Sequence, residues 1–257
     1  MALLGLGAFV AWHGIADGRE ADYECWHSHE HMLERVGISG FLRGRRYVTT
    51  ANGPRYLVLY ETTDIGVLTS PAYLERLNNP TPRTREIMPA VQNMNRTLCR
   101  VTASFGCGIG HAALTIRFSP QHGREVTLEN WLRTELEQLA GSPGLVAAHL
   151  IRADEAASRA PTKEKQLRAR PDEVADWALL VEGYDTIAVR RTWDGPLSSP
   201  TLEAHGARPQ AIGDFYLLSH LVTRQDLPSS AAAPAPGGNC QEHGRRTDVM
   251  GRARGDA

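Results

Sequence analysis

Tyr56-Leu57-Val58-Leu59-Tyr60-Glu61 is answered later in the chain by Trp177-Ala178-Leu179-Leu180-Val181-Glu182, and that echo decides the fold. Each hexapeptide is an apolar and aromatic run of strand length that ends in glutamate. Working outward, further pairs fall into register. Trp26 and Trp131 each open a helical stretch, offset by 105 residues; Gly40 and Gly144 stand at the turn that follows, offset by 104; Glu61 and Glu182 are offset by 121. The extra residues lie between Gly144 and Glu182. There the charged stretch 153–176, with Pro161 and Pro171, reads as an inserted long loop or mobile arm.

The rest of the pattern also reads twice. The first copy predicts a strand at 3–11 and a helix at 21–36, capped by Asp17 or Asp22 and ended by Gly37 and Gly40. Strands follow at 41–49 and 56–61 around a turn at 52–54, then helical pieces at 71–77 and 83–93, the second broken by Pro89, and a strand at 97–105. The second copy predicts strands at 112–118, 145–152, 177–182 and 215–223, with helices at 128–140 and 186–193. Strand-helix-strand-strand-helix-strand is the ferredoxin-like, split βαβ order. One such unit leaves a sheet face bare, and two can cover each other. The expected fold is therefore α+β: tandem ferredoxin-like repeats forming an intrachain α+β barrel, with antiparallel sheets and helices outside. The expected domains are an N-terminal repeat at 1–108, a degenerate C-terminal repeat at 109–226, and a disordered tail at 227–257. The tail's Ser/Ala/Pro/Gly run cannot bury enough apolar surface to offset the entropy of ordering.

Charge excludes some classes of function. The formal net charge is -1, so no strong field draws in nucleic acid or an anionic membrane. Arg43, Arg45 and Arg46 read as a solvated strand end. The apolar start at residues 1–12 has no preceding basic residue and is short for a membrane span. The four cysteines form no CxxC pair and lack zinc spacing, which suits a reducing, cytoplasmic setting.

Chemistry concentrates in the first predicted helix, Trp26-His27-Ser28-His29-Glu30-His31-Met32-Leu33-Glu34-Arg35. His27 and His31, four apart, share a helix face and could touch one ion. HEHML is not HExxH, however, and no further ligand cluster stands out, so no metal is expected. On a regular wheel Cys25, Trp26, Met32, Leu33 and Val36 form the apolar arc. His29 falls near its centre, whereas His27 and His31 fall outside it. The wheel thus selects His29 as the imidazole facing the sheet, either as a satisfied core histidine or as an acid/base group tuned near neutrality. Tyr56, Val58 and Tyr60 share one strand face, and Leu57, Leu59 and Glu61 the other. Tyr47, Tyr56 and Tyr60 are candidates to orient a substrate, and Trp26 reads as an anchor. Arg46 would pair with Glu30 or Glu34, or hold an acidic substrate. Nucleotide-binding and nucleophile-elbow motifs are absent, so no bound cofactor is expected.

WHSHEHMLER, then Gly40-Phe41-Leu42, Arg45-Arg46-Tyr47, Pro54-Arg55-Tyr56-Leu57-Val58-Leu59-Tyr60-Glu61 and Ser70-Pro71-Ala72-Tyr73-Leu74, resembles EthD-like and related members of the dimeric α+β barrel superfamily. The resemblance runs from about residue 4 to 89 and is better in the N-terminal copy. It implies a pocket between helices and sheet, lined by the first-helix histidine at the position of His31. Relatives commonly carry proline two residues later, where this chain has Leu33. Some barrels of this superfamily bind haem; nothing in this sequence favours it.

These observations support a small-molecule enzyme acting on an apolar or aromatic carbonyl or phenolic compound. His31 or His29 would be the general acid/base, with Trp26, Arg46, Tyr47, Tyr56 and Tyr60 binding substrate. Cyclase, isomerase, lyase and cofactor-free oxygenase chemistry all fit. The alternative is a non-catalytic ligand-binding or accessory protein. The expected partner is a small molecule, with neither nucleic acid nor membrane, and a homodimer of the pseudo-dimeric chain is compatible with the fold.

Overall fold

A computed structural model describes residues 3–227, so the tail expected at 227–257 lies, after Leu227, outside the described residues. The N-terminal half contains β1 (Gly7–Ile15), α1 (Glu20–Trp26), a π-helical segment (His27–His31), α2 (Met32–Val36), β2 (Phe41–Thr49), β3 (Tyr56–Thr62), α3 (Pro71–Asn78), α4 (Pro82–Ile87) and β4 (Val91–Gly106). The C-terminal half contains β5 (Ala112–Phe118), α5 (Glu125–Ala140), β6 (Leu145–Ala153), α6 (Glu155–Arg159), α7 (Lys163–Gln166), β7 (Trp177–Gly183), α8 (Thr186–Asp194), α9 (Ser199–Ala204) and β8 (Ile212–Thr223).

The strands form one closed antiparallel barrel in the order β1-β3-β2-β8-β5-β7-β6-β4. Each half contributes a ferredoxin-like sheet, β4-β1-β3-β2 and β8-β5-β7-β6. The halves join at two seams, β2 with β8 and β4 with β6. Closure leaves neither half with a bare sheet edge. Gly40 and Gly144, the paired turn glycines, have φ of 90° and 89°. A side chain there would be strained, which explains why the same residue recurs.

Several local expectations shift. The first strand begins at Gly7, not residue 3, because its extent follows its ladders to β3 and β4. Neither Asp17 nor Asp22 caps α1; Arg19 occupies the N-cap and holds Asp22 at 3.0 Å. The helix expected at 83–93 stops at Ile87, passes through a 3-10 turn at Met88–Ala90 containing Pro89, and Val91 starts a 16-residue strand.

Inside the barrel, Val10, Trp12, Leu57, Leu59, Ala113 and Leu180 belong to one apolar cluster drawn from both halves. Beside them sits a buried charge network. Arg45 is 0% exposed and bridges Glu61 at 3.0 Å and Glu182 at 2.7 Å, one glutamate from each half. Arg43 also meets Glu61, at 2.8 Å, and the Tyr47 hydroxyl donates to Glu182 at 2.9 Å. Arg43, Arg45 and Arg46 are thus buried rather than a solvated strand end. For Arg43 and Arg45 the glutamates Glu61 and Glu182 supply the counter-charge that makes burial tolerable. Burial would raise the Glu182 carboxyl, but Arg45 and His149 hold it down at about 2.

The inserted stretch is an ordered strap, not a mobile arm. Helices α6 and α7 lie across the N-terminal half. The Ser158 hydroxyl accepts from the Leu98 amide at 2.9 Å, and Glu173 makes backbone bonds to Met94 and Arg96 of β4. Glu164 forms a buried ion pair with Arg35 of α2. Polar composition suggested a loop; these long-range partners order it. Among the described residues, no helix is long and apolar enough to cross a membrane.

Candidate active site

The polar aromatic cluster beneath the first helix begins with a break in helical geometry. In His27–His31 the hydrogen bonds run to the fifth residue, and the Met32 amide donates to the His27 carbonyl. A π segment holds one more residue than the α-helix around it and turns the following side chains back by about one position. His27, four residues after buried Tyr23, and His31, after the break, are buried at 3% and 7% exposure, while His29 is exposed. This reverses the wheel reading, which assumed 100° per residue throughout. Met32 and Val36 still reach the core, because the extra residue resets their phase. The signal was present in the sequence. The offset between copies falls from 105 at Trp26/Trp131 to 104 at Gly40/Gly144, so the first copy has one residue more within this span.

The rings form a contiguous stack. His27 and His31 lie 5.6 Å apart, Tyr23 and His27 lie 5.2 Å apart, and Trp26 packs on His31 at 4.4 Å. His13, from β1, closes the far end, with its Nε2 2.9 Å from the Tyr23 hydroxyl and its Nδ1 2.9 Å from the Gly14 carbonyl. From β3, the Tyr60 hydroxyl approaches His27 Nε2 at 3.4 Å, and the Tyr56 hydroxyl donates to Glu24 at 2.8 Å. Ile15, Ile87, Met88 and Val91 complete the apolar surround of Tyr23, Trp26 and Tyr56. Among the described residues, Trp26 Nε1, His27 Nδ1 and His31 Nδ1 are buried with no hydrogen-bond partner.

Burial sets the charge state. It holds His27 and His31 well below the usual histidine range, aided by Arg46 at His27 and by Arg35 at His31. Burial also brings His13 down to about 4, against the raising effect of its bond to Gly14. All three imidazoles are neutral near pH 7. Burial pushes the Tyr23 and Tyr60 phenols up, and Tyr56 to about 12, so these tyrosines remain donors.

The structure gathers His31, Trp26, Tyr56 and Tyr60 in this region. Arg46 borders it without the expected Glu30 or Glu34 partner. Its guanidinium donates to the Glu24 carbonyl at 3.1 Å and to the Ser28 hydroxyl at 3.0 Å. Tyr47 lies elsewhere, since neighbours on a strand point to opposite faces and its hydroxyl meets Glu182 inside the barrel. His27, His13 and Tyr23 were not singled out from sequence as site residues. The strap supplies the cover: Leu167 packs against the aromatic cluster, and buried Arg168 places Nη1 3.5 Å from the Met88 sulfur. In the second half, α5 presents Leu128, Leu132, Leu136 and Leu139 to its sheet. Leucines thus fill the place that imidazoles occupy in the first. Among the described residues, no three His, Cys, Asp or Glu side chains converge as metal ligands.

No protein-family model matches the chain, and no curated protein matches it in sequence. The fold is shared with solved structures. An anthrone oxidase-like protein superposes with a TM-score of 0.61 at 11% identity, over 90% of this chain and 99% of its own. A provisionally named monooxygenase from Fusobacterium nucleatum subsp. nucleatum gives 0.56 at 8% identity, over 86% of this chain and 96% of its own. Another from Lactobacillus acidophilus gives 0.56 at 10% identity, over 85% and 96%. At such identities the likeness is one of fold, the ferredoxin-like α+β barrel.

Proposed function

We propose that this protein is a small-molecule enzyme in which His31 acts as general base on a phenolic or aromatic carbonyl compound. The observation that carries the reading is the pair of buried, neutral, stacked imidazoles on a π segment, each with an unpartnered Nδ1. A neutral imidazole can accept a proton at pH 7. Its depressed basicity makes proton transfer from a phenol or a carbon acid uphill, so Arg46 and the aromatic walls must stabilise the anion formed. His31 keeps a small accessible surface and takes the proton; His27 and Tyr60 behind it form the polar backing. Trp26 and Tyr56 supply aromatic walls, and Arg46 stands at the border to stabilise a developing oxyanion. Exposed His29 plays no part in this step. The resulting enolate or phenolate can rearrange or react with dioxygen. The names of the fold's neighbours, anthrone oxidase-like and monooxygenase, favour the cofactor-free oxygenase branch.

The test is turnover of a panel of phenols, anthrones and β-keto compounds, with oxygen uptake recorded. His31→Ala and His31→Gln are expected to lower kcat/KM by about 100-fold or more, the usual worth of a positioned base. Unchanged turnover in folded variants rejects the assignment. A non-catalytic ligand-binding role is the second reading. The close packing of Trp26 on His31 favours it, because that ring face is already covered. Ligand-induced thermal stabilisation with no turnover of any panel compound would select it.

A further inference from the structure

The strap carries a second constellation that the histidine chemistry does not use. An open cleft of about 440 Å3 lies within it, lined by Arg159, Lys165, Arg168, Arg170 and Asp172 among others. Its cations outnumber its acids. Arg168 is committed to Asp172 through two bonds, at 2.7 and 2.6 Å, and Arg159 to Glu155 at 2.8 Å. Exposed Arg170 pairs with no acid among the described residues.

Lys165 is half-buried in this cleft. Its amine donates to the Ser158 carbonyl and, at 3.0 Å, to the Ala160 carbonyl. A neutral amine has two N–H bonds, and two carbonyls are in place to take them. The nitrogen lone pair is then directed away from both. Burial pushes this amine down to about 8, and Arg96, Arg168 and Arg159 act in the same sense, against Asp172. Composition isolates the residue further. Of the chain's 28 lysines and arginines only two are lysines, Lys163 and Lys165. Arginine serves everywhere else as the cation; only lysine's amine can readily be made a nucleophile.

We propose that this cleft binds a small 2-oxo acid, whose carbonyl carbon forms an imine with Lys165 Nζ while Arg170 takes its carboxylate. The lone pair of the neutral amine attacks the carbonyl carbon to give a carbinolamine. Expulsion of its hydroxyl as water, with both departing hydrogens from nitrogen, leaves the C=N bond. No oxidant or reductant is required, and water reverses the step.

The experiment uses the whole protein with glyoxylate or pyruvate and cyanoborohydride at pH 7.5, which reduces the imine to a stable secondary amine. Peptide mass spectrometry then reads labelling at each lysine. An amine titrating near 8 carries about a hundredfold more neutral form at this pH than an ordinary lysine. Lower intrinsic nucleophilicity offsets part of this. Lys165 should therefore label about tenfold faster than Lys163, its neighbour and built-in reference. Arg170→Gln should slow labelling by glyoxylate several-fold and leave labelling by formaldehyde, which has no carboxylate, unchanged. Equal rates at the two lysines, or no adduct at Lys165, overturn the proposal. Indifference of glyoxylate labelling to Arg170→Gln overturns the carboxylate assignment. The comparison within the wild-type protein does not depend on any variant folding.

Discussion

Acidification should unfold this protein through its buried histidines well before its carboxylates matter. Imidazoles that are neutral and buried when folded have a folded pKa below the unfolded value of about 6.5. Between the two values the unfolded chain binds more protons, so stability is fully present above about pH 6.5 and is lost as pH falls from there toward the folded value. For His13 the folded value is about 4. Linkage then gives a loss of about 2 kcal/mol at pH 5 from this residue alone. His27 and His31 are shifted in the same direction and deepen the loss. Against a usual domain stability of about 5–15 kcal/mol, the sum is a large fraction. The assay is urea unfolding followed by tryptophan fluorescence from pH 7.5 to pH 5. The slope of log K against pH should approach one proton per buried histidine, and His13→Gln should reduce it by about one. Stability that is flat across this range would refute the burial of neutral imidazoles and, with it, the basis for a neutral general base.

Three further outcomes follow from particular contacts. Glu164→Gln removes one partner of the buried ion pair with Arg35; about 3–5 kcal/mol should be lost, with limited proteolysis cutting first within residues 155–174. Arg45→Met leaves Glu61 and Glu182 facing each other inside the barrel, with Arg43 still on Glu61. The expected cost in chemical denaturation is about 3–5 kcal/mol, and adding Glu182→Gln should recover part of it. Below about pH 4.5 a second acid transition is expected as Glu182, held at about 2 by Arg45 and His149, is drawn toward protonation. Its stabilisation is present above the unfolded carboxylate pKa and lost below, so the Glu182→Gln variant should show a weaker transition by circular dichroism.

The amino-acid sequence by itself determined the barrel. The paired hexapeptides, the recurring tryptophans and Gly40/Gly144 report local requirements: strand length, strand alternation and a positive φ at a turn. Such requirements are written in neighbouring residues, so two diverged copies show them twice. The one-residue fall in offset marked the π segment, yet a wheel of constant pitch could not use it and turned the wrong histidine inward. Contacts between distant residues decided the rest. Arg43, Arg45 and Arg46 read as a solvated end until Glu61 and Glu182, from opposite halves, appeared as counter-charges for Arg43 and Arg45, and the Glu24 carbonyl and Ser28 hydroxyl as acceptors for Arg46. Residues 153–176 read as a loop until Arg35, Leu98 and Met94 proved to hold them down. Burial of a charge or the ordering of a polar segment depends on a partner's energy, and a partner on another element, far along the chain, leaves no mark on local pattern. The same holds for the candidate site. Tyr56 and Tyr60 followed from alternation on β3, whereas Tyr23 and the neutral state of the histidines came only from the strap, sheet and helix that enclose them.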